Sequence, residues 1–145
     1  MKPSAFSTTV FFLFVSFVTC HAQQVISDEQ AMRSLRHFYV SYIKEKSKAS
    51  KDGYRKIDSL LRRYSTPRLT EQLKGQVEED YDFILNAQGA DTRWLNSLKV
   101  AKTKTENVYE VSWVIEDSFG KIYEVKKIRL LLIRTQTDIL IDGIM

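Results

Sequence analysis

Apolar residues recur every three or four positions through Met32, Leu35, Phe38, Tyr39, Tyr42 and Ile43, a spacing that predicts a helix with one broad buried face. Ser27 followed three residues later by Gln30, with Asp28 and Glu29 between, is a capping-box start that sets negative charge at the helix N-terminus. The helix is expected to fade in Lys44-Glu45-Lys46-Ser47-Lys48, a solvated stretch running to a turn at Asp52-Gly53. Ile57, Leu60, Leu61 and Tyr64 repeat the helical spacing, and Ser65-Thr66-Pro67 then offers an N-cap followed by Pro at a first helical position. A second helix therefore ends there and a third begins, with Leu69, Leu73 and Val77 on its buried side. Glu78-Glu79-Asp80 lies at its end, where the helix dipole favours cations instead.

Beyond that point the period changes. Tyr81-Asp82-Phe83-Ile84-Leu85 is a short aromatic and β-branched segment that reads as extended, and Asn86 to Asp91 reads as a polar loop leading to Trp94 and Leu95. Four strands are predicted at Leu98 to Thr103, Val108 to Glu116, Ile122 to Ile133 and Asp138 to Ile144. Turns at Glu106-Asn107, Asp117-Ser118-Phe119-Gly120 and Thr135-Gln136-Thr137 are too short for anything but antiparallel neighbours. In the second strand Tyr109, Val111, Trp113 and Ile115 alternate with Glu110 and Ser112, the pattern of a sheet with one dry face that the helices must cover. In the third, Tyr123, Val125 and Lys127 precede the run from Ile128 to Ile133, which predicts a bulge or a strong bend near Lys126 and Lys127. Helices first and a sheet afterwards make an α+β fold, with N-terminal helices on a bent four-stranded antiparallel sheet.

The N-terminus adds a location. Lys2 precedes Val10 to Val18, a stretch apolar but for Ser16, and Thr19-Cys20-His21-Ala22-Gln23 follows, the layout of a secretory signal. The stretch is far shorter than the ~20 residues a spanning helix requires, so no transmembrane span is expected. Cleavage after Ala22 is the reading adopted, because Thr19 is bulkier than the residue usual before a lipidated cysteine; lipid anchoring at Cys20 is the alternative. The chain then divides into a signal peptide, residues 1–22, and one domain, residues 23–145, exported to the periplasm or the medium. Cys20 is the single cysteine, so the mature chain would carry no disulfide and no thiol chemistry. A net charge of +4, with basic and acidic residues interleaved, gives no patch of the kind that nucleic-acid binders present.

The candidate site is Asp80, Tyr81, Asp82, Asn86, Gln88, Asp91 and Trp94, because carboxylates, amides and aromatics close in sequence can converge on the mouth of a pocket. That points to a non-enzymatic binding or interaction module for a small polar ligand or a protein partner. A role as a periplasmic inhibitor or protective protein falls in this class. The same residues also fit a local role, Asp80 and Asp82 accepting backbone hydrogen bonds while Asn86 and Gln88 fix the loop. The alternative function is a small acid/base or hydrolytic enzyme using one buried Asp of the 80–91 segment. His37 is the single histidine after the leader and has no ligand pair at metal-binding spacing, and no phosphate-binding glycine motif is present, so neither metal nor cofactor is expected. The bases from Lys44 to Arg63 read as a solvated face. The apolar run Leu130 to Ile133 must place part of itself on the outer sheet face, where a homodimer through the open sheet would cover it.

Taken together, His37-Phe38-Tyr39 with Tyr42, Tyr64 with Thr66-Pro67-Arg68-Leu69, the block Asp80 to Gln88, Trp94-Leu95 and Ile141-Asp142-Gly143-Ile144 resemble the nuclear-transport-factor-2-like (cystatin-like) cone fold. More narrowly they resemble the bacterial exported family known as domain of unknown function 3828. The resemblance covers nearly all of residues 30–144. It departs at Gly89-Ala90-Asp91, where the family pattern has an acidic residue directly after the Gln. It implies a helix lying in the hollow of a bent sheet and an exported location, and no activity.

Overall fold

The computed structural model describes residues 26–74 and 81–145; the stretch expected to be a signal peptide, Cys20, Val77 and Glu78-Glu79-Asp80 lie outside the described residues. Helix α1 spans Asp28–Lys46 and opens on the expected capping box: the Ser27 hydroxyl accepts the Gln30 N–H at 3.2 Å, and the Gln30 side chain accepts the Ser27 N–H at 2.8 Å. Its buried stripe is Ala31, Leu35, Phe38, Tyr39, Tyr42 and Ile43, each large side chain contributing ~1.5–3 kcal/mol on burial.

The connection to α2 (Lys51–Tyr64) is not at Asp52-Gly53. The chain turns at Ser47 to Ser50, with Ala49 in the left-handed region at φ 45°, and Ser50 caps α2 by accepting the Gly53 N–H at 3.0 Å. Gly53 belongs to the first turn of the helix, where a Cβ would lie 2.7 Å from the Glu45 carbonyl oxygen. Close approach of two helices, not a turn, requires glycine there.

Helix α3 (Pro67–Lys74) starts as the sequence predicts, its first turn capped by Thr66, whose hydroxyl accepts the Leu69 N–H at 3.3 Å. Leu69 and Leu73 are buried.

Strands β1 (Lys99–Lys102), β2 (Val108–Glu116), β3 (Ile122–Arg134) and β4 (Ile139–Ile144) form one antiparallel sheet in the order β1-β2-β3-β4, each within about a residue of its predicted bounds. The helices and the inward side chains of the sheet share a single core, in which Tyr39 of α1 meets Trp113 of β2 at 6.0 Å between ring centres. This is an α+β arrangement of three helices on a four-stranded open sheet among the described residues. The 3-10 helix Thr92–Asn96 sits beside β2.

No bulge occurs at Lys126 and Lys127, which pair in unbroken register with Trp113 and Ser112. From Tyr123 onward the alternation of β3 does not slip; its polarity inverts. Glu124 and Lys126 share the inward side with Ile128, Leu130 and Leu132, and Tyr123 and Val125 are exposed. The register shifts lie elsewhere. One, between Ile115 and Glu116, leaves Tyr123 without a partner, and the other, between Leu131 and Leu132, does the same for Asp142 of β4.

Asp142 makes use of its displacement. Its carboxylate accepts the Thr66 hydroxyl at 2.8 Å and pairs with Arg68 at 3.0 Å, and Arg68 followed by Thr66 holds it below the usual carboxylate range. With the parallel bridge from Ser65 to Ile141, the α2–α3 corner closes the exposed edge of β4.

Candidate functional site

Between the C-terminal half of α1, the inner sides of α2 and α3, and the turn at 81–88 lies a cleft of about 550 Å3. Its walls are apolar, from Ile57, Leu61, Leu73, Phe83 and the rings of Tyr42 and Tyr54, and its polar groups are few: Lys46, Asp58, Thr70, Lys74, Asp82 and Gln88. Size and lining are those of a small-molecule site.

The turn that closes the cleft is built around Asp82. Asp82 and Ala87 exchange both backbone hydrogen bonds, at 2.8 and 3.2 Å, and Asn86 takes the left-handed conformation at φ 50°. The segment predicted as extended is thus a tight turn with one bridge at its base, because the Asp82 carboxylate accepts the Leu85 N–H at 3.0 Å and bends the chain back. The other carboxylate oxygen accepts the Tyr42 hydroxyl at 2.9 Å and lies 3.2 Å from the Lys46 ammonium. That ammonium also stands 5.6 Å from the centre of the Tyr54 ring.

Burial, reinforced by the negative charge of Asp82, pushes the Tyr42 phenol far above its ordinary range, so it stays a donor. Tyr39, deeper and raised for the same reasons in the same order, donates to the Ile84 carbonyl at 3.0 Å. The two phenols fasten the turn to α1. Three of the roughly four acceptor positions of Asp82 are thereby occupied, which makes it an anchor and leaves little of it for proton transfer.

The candidate residues divide. Tyr81, Asp82 and Gln88 line the cleft, and Asn86 accepts the Tyr81 hydroxyl at its edge. Asp91 turns away: it caps the 3-10 helix through the Arg93 N–H at 2.8 Å and pairs with the Arg93 guanidinium, which holds it below the usual carboxylate range. Trp94 stacks on Trp113 at 5.7 Å and 21° on the other side of the turn. Asp80 lies outside the described residues.

Sequence reasoning missed Tyr42, Lys46, Tyr54 and Thr70 as site residues. The i, i+4 spacing of Phe38, Tyr42 and Lys46 was the one available signal that an ammonium ends the apolar stripe of α1. Thr70 stands out, because its hydroxyl is buried in the cleft wall without a hydrogen-bond partner among the described residues; such a group costs ~1–3 kcal/mol when left unpaired.

A second hollow of about 460 Å3 lies at the other end of α1, between Gln30, Ser34, Arg63 and the loop Gln136 to Asp138. Its side chains are largely polar and solvated. His37 is exposed and bonded through Nδ1 to the Tyr64 hydroxyl at 2.8 Å. Among the described residues no three His, Cys, Asp or Glu side chains gather closely enough to hold a metal, and no helix is long and apolar enough to cross a membrane.

No protein-family model matches the chain, and no curated protein does. Among solved structures it is similar to a protein of unknown function from Bacteroides thetaiotaomicron VPI-5482, at 24% identity over 81% of this chain and 89% of that one, with a TM-score of 0.71. At that identity the likeness establishes the shared α+β fold and nothing about activity.

Proposed function

We propose that the protein is an exported, non-enzymatic binding module whose ligand is a small molecule with an apolar body and a polar end, held in the cleft between α1, α2, α3 and the 81–88 turn. The observation that carries this reading is the Thr70 hydroxyl, buried in the wall of a largely apolar cleft of about 550 Å3 and without a hydrogen-bond partner among the described residues. A ligand acceptor or donor at that point would satisfy it. Lys46 supplies positive charge at the same opening, with a side chain still one quarter exposed. Export rests on the leader pattern, and kinship with the cone-shaped nuclear-transport-factor-2-like family rests on the helices-then-sheet order and the residues that carry the resemblance. An acid/base enzyme is the weaker reading, because Asp82 is already committed to Leu85, Tyr42 and Lys46.

The test is titration with 8-anilinonaphthalene-1-sulfonate, which joins apolar rings to an anionic end. Its fluorescence is expected to rise on the wild-type protein, to fall several-fold in affinity with Lys46→Met, and to vanish with Leu61→Trp, which fills the cleft. A signal indifferent to Leu61→Trp in a variant that melts normally would refute the site. Intact mass of protein purified from the native envelope tests the location, with Gln23 as the expected first residue.

A further inference from the structure

The β2–β3 hairpin outruns its neighbours in the sheet. β1 pairs with β2 only from Tyr109 to Ser112, and β4 pairs with β3 only from Leu130 to Arg134. Beyond those limits each long strand has an edge of its own. That of β2 is closed where it begins by Ser97, whose hydroxyl accepts the Val114 N–H at 2.9 Å. β1 is short and carries Lys99 and Lys102, and the α2–α3 corner guards β4. The edge of β3 from Ile122 to Ile128 has no strand against it among the described residues.

Two bonds set the direction of its backbone groups. The Leu132 N–H donates to the Asn107 carbonyl and the Met145 N–H to the Arg129 carbonyl, both at 2.9 Å, and one register with β2 runs from Leu131 to Glu124. Even-numbered residues therefore bond to β2, and the N–H and C=O groups of Val125 and Lys127, with Tyr123 by the same alternation, face the open side. Beside that row Tyr123 is 80% and Val125 50% exposed on the outer face, while Glu124 and Lys126 pair at 2.9 Å on the inner one. Soluble proteins ordinarily cover or shorten an apolar edge of this length.

We propose that this edge receives an extended peptide segment of a partner protein, antiparallel to β3, along the line that a longer β4 would follow. Ile122 to Ile128 at ~3.4 Å per residue offers roughly 24 Å of strand. From the N-terminal end of the incoming segment, an acid falls opposite Lys126, an apolar residue opposite Val125 and a base opposite Glu124. Main-chain bonds supply the hold. The inward charges supply the choice, since a strand with the two reversed sets like against like. A second copy of β3 fits badly: antiparallel and centred on Val125, it would bring its Lys121 opposite Arg129, where Met145 is already bonded. A segment with free ends has no such conflict.

Fluorescence anisotropy of the labelled peptide Val-Thr-Glu-Val-Lys-Val-Thr, titrated with the purified protein, is expected to show saturable binding. The N–H of its fourth residue points at Val125 and that of its fifth points away. N-methylation of the fourth is therefore expected to abolish binding, and N-methylation of the fifth to leave it within about twofold. The peptide with Glu and Lys exchanged is expected to bind about tenfold more weakly, and the double variant Glu124→Lys with Lys126→Glu to reverse that preference. Leu61→Trp, which fills the cleft between the helices, leaves these affinities unchanged, so the edge is tested apart from the cleft. Absence of binding at millimolar protein overturns the proposal, as does binding indifferent to which amide is methylated or to the exchange of charges. A wild-type protein that sediments as a dimer and excludes the peptide also overturns it, because its own copy then covers the edge. Should the double variant lose its native circular dichroism, the four peptides on the wild-type protein decide alone.

Discussion

Replacing Tyr42 with Phe removes one oxygen and leaves the ring, so it tests the anchoring of the 81–88 turn without opening a cavity. The lost bond runs from a buried phenol to a buried carboxylate at 2.9 Å. Hydrogen bonds to charged groups contribute ~1.5–3 kcal/mol. Asp82 keeps Lys46 at 3.2 Å and the Leu85 N–H at 3.0 Å, so the carboxylate is weakened in its setting and not stranded. At ~4 °C per kcal/mol for a domain of this size, the melting temperature is expected to fall by roughly 6–12 °C at pH 7. The effect has a defined pH range. Because burial raises the folded pKa of Tyr42 above its unfolded value, the hydroxyl's contribution is complete below the unfolded pKa of ~10 and declines as pH rises above it. Urea midpoints of Tyr42→Phe, Asp82→Asn and the double variant complete a thermodynamic cycle, with a coupling of ~1 kcal/mol or more expected between residues in direct contact. A melting shift under ~2 °C, or additive effects in the cycle, would refute the argument that Asp82 is held through Tyr42.

Two further substitutions probe other joints of the fold. Gly53→Ala gains up to ~1 kcal/mol of helix propensity but drives a Cβ to 2.7 Å from the Glu45 carbonyl oxygen. Overpacking of that kind costs ~1–3 kcal/mol, so the variant is expected to unfold at lower urea, and a more stable variant would contradict the close helix approach. Asp28→Asn removes the centre of a cluster in which Lys102, Tyr109 and Arg134 all meet one carboxylate. Those contacts, Lys102 first, hold Asp28 well below the usual carboxylate range, while burial and the bond to Asp28 push Tyr109 up to about 12. A lowered pKa contributes stability above the unfolded value of ~3.9 that is lost as pH falls through the folded one. Thermal melts are therefore expected to separate wild type from Asp28→Asn at pH 7 and to converge only in acid well below pH ~4; a gap constant across that range would refute the ion cluster.

The elements that local rules govern were legible in the sequence. The Ser27 box, the Thr66-Pro67 start and the four strands follow from caps, short turns and alternation, each settled within a few residues of itself. What depends on neighbours distant in sequence was not. Asp28 reads locally as a helix-dipole charge, yet its partners stand 74, 81 and 106 residues away. Asp52-Gly53 has the composition of a turn, and the approach of α1 decides otherwise. The polar inward residues Glu124 and Lys126 looked like a change of register because inward positions were expected to be apolar. The candidate site was sought as one contiguous stretch, since adjacency in sequence was the available clue. In the fold, a turn at Asp82 sends Tyr81 and Gln88 to the cleft, and Asp91 and Trp94 away from it, while half of the cleft comes from helices more than ten residues upstream.

The corner at Ser65 and Thr66 bears on how the chain reaches its fold. Its bonds run to Ile141 and Asp142, and the start of α1 is tied to Arg134. During vectorial synthesis the first of these ties waits for β4 and the second for the end of β3. Closure over such sequence separations is entropically slow. Loss of β4 would leave the α2–α3 corner without its latch.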